Sequence, residues 1–128
     1  EAKAGRDEKS CELSFAGHMR DIRGKEGDKF SISYRFSENS LKITLLCGGE
    51  ADFLFNAVSD AAAPERISED RISFGKSGDS YSVAASSVIE CAGERTWTPC
   101  GGFMSFPLRL HLTAGKEESF EIFYGTAL

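Results

Sequence analysis

The chain has 128 residues, ten of them Phe and one Trp, with a formal net charge of -5 and a pI of about 5.1. That length suits one domain with a real core, and the acidic balance argues against partners held by their own negative charge, nucleic acid and anionic membrane surface alike. No apolar run reaches the length of a membrane span, so no direct membrane insertion is expected.

The first residue is Glu1 and no signal-like apolar segment follows, which reads as a mature fragment or a domain of something larger. Residues Glu1 to Ser10 are charged or small and read as a frayed terminus. Cys11, Leu13 and Phe15 alternate with Glu12 and Ser14 and predict a first strand, broken at Ala16-Gly17. His18 to Ile22 suggests a short edge strand, and the polar stretch Arg23 to Asp28, with two glycines, a turn. Phe30, Ile32, Tyr34 and Phe36 alternate with polar residues, as do Leu41, Ile43, Leu45 and Cys47 after the turn at Ser37 to Ser40. Gly48-Gly49-Glu50 turns the chain into a strand at Asp52 to Asn56. Val58 to Asp70 has no period and reads as a loop, limited by Pro64. Arg71 to Phe74 is a short strand, Gly75 to Asp79 a turn, and Tyr81 with Val83 resumes the alternation. Ser87 to Cys91 extends or restarts that strand, and Gly93 to Gly102 is a loop with Trp97, Pro99 and Cys100.

The last stretch is the most regular. Leu108, Leu110 and Leu112 alternate with Arg109 and His111, and Phe120, Ile122 and Tyr124 repeat the pattern after a polar break at Ala114 to Glu118. The pattern predicts an antiparallel hairpin whose apolar face needs a second sheet over it. No segment carries a sustained helical period, so the fold class is all-β, a two-sheet antiparallel sandwich.

Four cysteines, Cys11, Cys47, Cys91 and Cys100, form an even set without a Cys-x-x-Cys pair, and His18 and His111 are the only histidines. Closely spaced metal ligands are missing, so neither metal nor cofactor is expected. The set reads as two disulfides in an oxidising compartment, with buried free thiols as the alternative. Three connectivities are open; closeness in sequence suggests Cys91 with Cys100, which leaves Cys11 with Cys47.

Motifs for chemistry are thin. Gly75-Lys76-Ser77 resembles the end of a phosphate loop, but Asp70 stands where the first glycine belongs, and a hairpin turn explains it better. His111 alternates with leucines and has no Gly-x-Ser-x-Gly elbow to serve, so no enzyme is expected. Trp97, beside Arg95 in sequence terms, fits a partner hot spot or a plug at one end of the sandwich.

From Phe30 to Tyr124 the order of pieces resembles a galectin. The strand Leu41 to Gly48, the strand Asp52-Phe53-Leu54-Phe55-Asn56, and the closing strands with Phe103 to Leu108 and Phe120 to Tyr124 carry the likeness. The resemblance implies a galectin-like jelly-roll sandwich. Galectins hold β-galactosides with His, Asn and Arg on one strand and Trp, Glu and Arg later. In register, those first three positions are Leu54, Asn56 and Val58. The later three are Ile89, Ala92 and Glu94, or else Trp97, Cys100 and Gly102. Only Asn56 survives in both registers, so ordinary galactoside binding is not expected. The chain is similar to galectin-like domains without the sugar set that act as protein-interaction modules of micronemal adhesins in apicomplexan parasites. That likeness implies a secreted, micronemal module docking an EGF-like domain of a membrane-anchored partner and aiding its transport. The expected contact face holds Lys42, Thr44, Leu46, Leu54 and Asn56, with Arg95 and Trp97. The alternatives are a lectin with a rearranged site at Asn56, Arg71, Arg95 and Trp97, and a secreted bacterial inhibitor or immunity protein.

Overall fold

A computed structural model describes residues 1–7, 9–60, 63–75, 80–91 and 103–124. Among them there is no helix. The strands are β1 (Ala2–Arg6), β2 (Ser10–Arg20), β3 (Glu26–Ser37), β4 (Ser40–Cys47), β5 (Ala51–Asp60), β6 (Glu65–Ser68), β7 (Arg71–Phe74), β8 (Tyr81–Ala85), β9 (Ile89–Cys91), β10 (Phe103–Leu112) and β11 (Glu118–Tyr124). They form two antiparallel sheets, one of eight strands in the order β1-β2-β3-β4-β11-β8-β7-β6 and one of three in the order β5-β10-β9. Both sheets keep open edges among the described residues, so this is a sandwich and not a closed barrel.

The alternation read from sequence sets which side chains face inward. Ile43, Leu45, Val83, Phe120 and Ile122 of the large sheet meet Phe106, Leu108 and Leu110 of the small one in a single buried cluster. Phe120 lies 5.5 Å from Phe53 and 5.3 Å from Phe55, ring centre to ring centre, and Phe74 lies 6.0 Å from Phe106. These tilted aromatic pairs add to the area they remove from water.

The predicted terminal hairpin does not form. β10 pairs with β5 and β9, whereas β11 pairs with β4 and β8 in the other layer. The residues between them turn through Gly115, at φ 70°, whose N–H donates to the Cys47 carbonyl at 2.8 Å. This crossing therefore lies against the other crossing, from β4 to β5 through Gly48-Gly49. Both strands were expected to share one apolar face; instead their apolar faces look at each other across the core.

Other readings also change. The terminus is not frayed through Arg6, because Ala2 to Arg6 pairs with Cys11 to Phe15. Ala16-Gly17 does not break β2. Gly17 stays in the ladder opposite Phe30, and a Cβ there would sit 3.7 Å from the Phe30 ring. Part of the expected loop after Val58 is strand. Val58 to Asp60 continue the ladder opposite Phe103 to Ser105, and β6 is exposed throughout, leaving no alternation to read.

The polar break before β11 hides one more strand residue, Glu118, which is 2% exposed. Its carboxylate accepts from the Ser86 hydroxyl and pairs with Lys116 Nζ at 2.6 Å. Burial pushes its pKa up, but the hydrogen bonds from Lys116, Ser86 and Ser87 outweigh that and hold it below the usual glutamate value of 4.5. A carboxyl depressed by folding stabilises the fold above its unfolded pKa, and that contribution fades as pH falls through the folded one. Glu118→Gln is expected to cost about 2 kcal/mol in urea unfolding at neutral pH. The gap to the native chain should narrow steadily below about pH 4.5; a gap that stays constant to lower pH would contradict a charged, bonded Glu118.

Candidate functional site

The outer face of the small sheet gathers its polar residues on cross-strand pairs. His111 stands opposite Asp52, and Arg109 stands between Leu54 and Glu90. His111 Nδ1 lies 2.9 Å from Asp52 Oδ1. Arg109 Nε donates to Glu90 Oε2 at 2.8 Å, its Nη2 contacts the same oxygen, and its Nη1 is 3.9 Å from Asp52 Oδ2. The Glu90 hydrogen bond, then its charge, hold the guanidinium above its ordinary pKa. This cluster was not anticipated as a unit; its signal was two polar residues alternating with leucines on β10, which gave the face but not the partners. Opposed charges on a solvated sheet settle into such pairs without any catalytic role.

The expected contact face is split. Lys42, Thr44 and Leu46 lie on the outer side of the large sheet, their neighbours Ile43, Leu45 and Cys47 being buried. Leu54 and Asn56 lie on the outer side of the small sheet, and Leu54 is 70% exposed. The core separates the two sets, so they do not form one surface. The reason is the crossing at Gly48-Gly49: β4 and β5 are consecutive in sequence but belong to opposite layers. Arg71, on β7, is half-buried in the large sheet. Arg95, Trp97 and Cys100 lie outside the described residues.

A different surface emerges from the unequal layers. Three strands cover part of eight, and the inner face of β1 to β3 extends beyond them. Register places Leu13 beside Tyr34 and Phe15 beside Ile32 on that face, with Cys11 beside Phe36. Leu13, Phe15 and Phe36 remain 36%, 42% and 41% exposed. The Phe15 ring meets Tyr34 edge-on at 6.2 Å. The sequence had marked these as residues of alternating strands; it could not show that the other described strands leave them partly uncovered. Where the shelf meets the small sheet, Met19, Phe30, Ile32, Ala51 and Phe53 border an apolar groove of about 220 Å³.

Neither a family model nor a curated relative matches this sequence. Among solved structures the chain is similar to the 4-alpha-glucanotransferase from Thermococcus litoralis, with a TM-score of 0.57 at 10% identity, over 96% of this chain and 22% of that one. It also aligns with the crystal structure of HI1317, with a TM-score of 0.49 at 12% identity, over 94% of this chain and 62% of that one. The chain thus spans less than two thirds of either protein. At identity this low the likeness to the glucanotransferase shows a shared fold and nothing about activity.

The cysteine pairing expected for Cys11 and Cys47 does not occur. Cys11 stands beside Phe36, which stands beside Leu41, and Cys47 lies at the far end of β4. Along a strand that separation is about 20 Å, against about 7 Å at most between the α-carbons of a disulfide. Both thiols are free, Cys11 exposed and Cys47 buried. The pairing proposed for Cys91 with Cys100 falls on a residue outside the described set. Alkylation of the native chain followed by mass spectrometry should therefore label Cys11 readily and Cys47 only after denaturation. A non-reducing peptide map containing a Cys11–Cys47 cross-link would overturn the register of β2, β3 and β4.

Proposed function

We propose that this domain is a non-enzymatic protein-interaction module of an extracellular adhesin complex. The observation that supports it is the apolar shelf of Leu13, Phe15 and Phe36, held on paired strands and left without a cover by the described residues. Contiguous apolar surface at a fixed sheet position favours association with another protein, and the aromatic residues supply contact area at little entropic cost. The galectin resemblance, with the galactoside positions occupied by Leu54 and Val58, favours a protein ligand over a sugar, and an EGF-like domain of a membrane-anchored partner is the ligand class it suggests. The contact surface in this reading is the shelf, in place of the split face through Lys42 and Leu54.

A lectin is the second reading. It is favoured by Asn56, which stands exposed on the same face as the fixed polar pairs His111–Asp52 and Arg109–Glu90. Fixed polar groups of that kind are what a saccharide hydroxyl requires.

Binding to a panel of recombinant EGF-like domains and to a glycan array separates the two. The Phe15→Asp chain should keep its circular dichroism spectrum, since the ring is already part-exposed, and lose binding to its EGF-like partner by roughly 30-fold or more. Asn56→Ala should leave that binding unchanged. A saccharide signal abolished by Asn56→Ala but not by Phe15→Asp would reject the module reading in favour of the lectin.

A further inference from the structure

Among the described residues the four sheet edges are not alike. β1 is short and carries Lys3 and Arg6; β6 has four residues and a register shift between Arg66 and Ser68; β9 has three residues. Short length, basic side chains and irregular pairing are the usual ways in which a sheet edge is kept from recruiting another strand. The fourth edge, β5, has none of them. It runs ten residues, Ala51 to Asp60, in unbroken register with β10 and contains no Lys, Arg or Pro. Its other side pairs with no described strand. At its start it borders the apolar groove lined by Phe30, Ile32 and Met19. At its far end the Tyr81 hydroxyl donates to the Val58 carbonyl at 2.8 Å and ties β5 to the large sheet.

We propose that an extended segment of a partner protein adds to this edge as a fourth strand of the small sheet. Its backbone would continue the β5–β10 ladder, and alternate side chains would fill the groove and lie on the shelf of β2 and β3. The proposal deepens the interaction-module reading and rests on it. Size and charge select this occupant. From Ser10 to His18 the shelf runs about 30 Å along the strands and about 14 Å across three of them, roughly 400 Å². That is about half of what one side of a stable dimer buries, and it fits an added strand better than a second globular copy. The whole chain carries a net charge of -5. The segment that fits is therefore apolar at alternate positions and basic at the others.

The test uses a synthetic peptide of about eight residues alternating Val and Lys, and its twin methylated at alternate backbone nitrogens. Amide exchange of the full chain is followed by NMR. The plain peptide should slow exchange at alternate β5 amides between Asp52 and Val58 by about tenfold or more, and the methylated twin should not. No change at β5, protection along β1 instead, or equal protection by both peptides would overturn strand addition. Protection at β5 that rises with protein concentration in the absence of peptide would overturn it in favour of self-pairing. The EGF-domain panel with Phe15→Asp is read separately, so strand addition can fail while the module reading stands.

Discussion

Phe120 holds the two layers together. It projects from the middle of the large sheet and is met by Phe53 and Phe55 from the small one. Its strand, β11, is paired on both sides, to β4 and to β8, so the ring sits at the centre of the eight-stranded sheet. β5 and β10, paired along their length, thereby become a rigid lid whose position is fixed over β11. The bond from Gly115 to the Cys47 carbonyl fixes the end of the sandwich where both crossings occur. What is covered and what is left bare on the large sheet follows from that placement.

The margin of the lid therefore differs from its top. The lid's outer face has already satisfied its charges internally, through Asp52 with His111 and Glu90 with Arg109. The outer face of the large sheet is likewise balanced, with Glu12, Arg35, Lys42 and Glu121 side by side across four strands. Such rows are well solvated, and pairs of this exposure contribute little to stability or affinity. The inner face beyond the lid is apolar along β2 and β3, and the described residues leave it without a full cover.

The sequence shows faces well and neighbours poorly. The alternation of Leu108, Leu110 and Leu112 and of Phe120 and Ile122 states correctly that these residues are buried, because a period of two is a property of one strand alone. Which strand lies alongside is a property of the turn, and a five-residue polar connection is compatible with a hairpin or with a crossing between layers. The same ambiguity at Gly48-Gly49 separates Leu46 from Leu54. Glu118 is illegible for a different reason: a buried carboxylate is recognisable only through Lys116, Ser86 and Ser87, which folding brings to it. Cys11 and Cys47 illustrate the limit of counting, since an even number of cysteines carries no information about the length of strand between them.

The shelf also says something about the large sheet itself. If β2 faced water on both sides, polar residues would be favoured at every position, and the period of two would disappear past the edge of the lid. Instead Cys11, Leu13 and Phe15 keep to one side while Glu12 and Ser14 keep to the other. The same holds for Ile32, Tyr34 and Phe36 on β3. A strand that keeps two unlike faces is suited to two unlike surroundings, one aqueous and one not. The exposed edge of β5, long and unguarded beside that surface, supplies the hydrogen-bonding half of the same incomplete layer. Taken together, the apolar floor and the open edge describe a small sheet one strand short of covering the surface on which it is built.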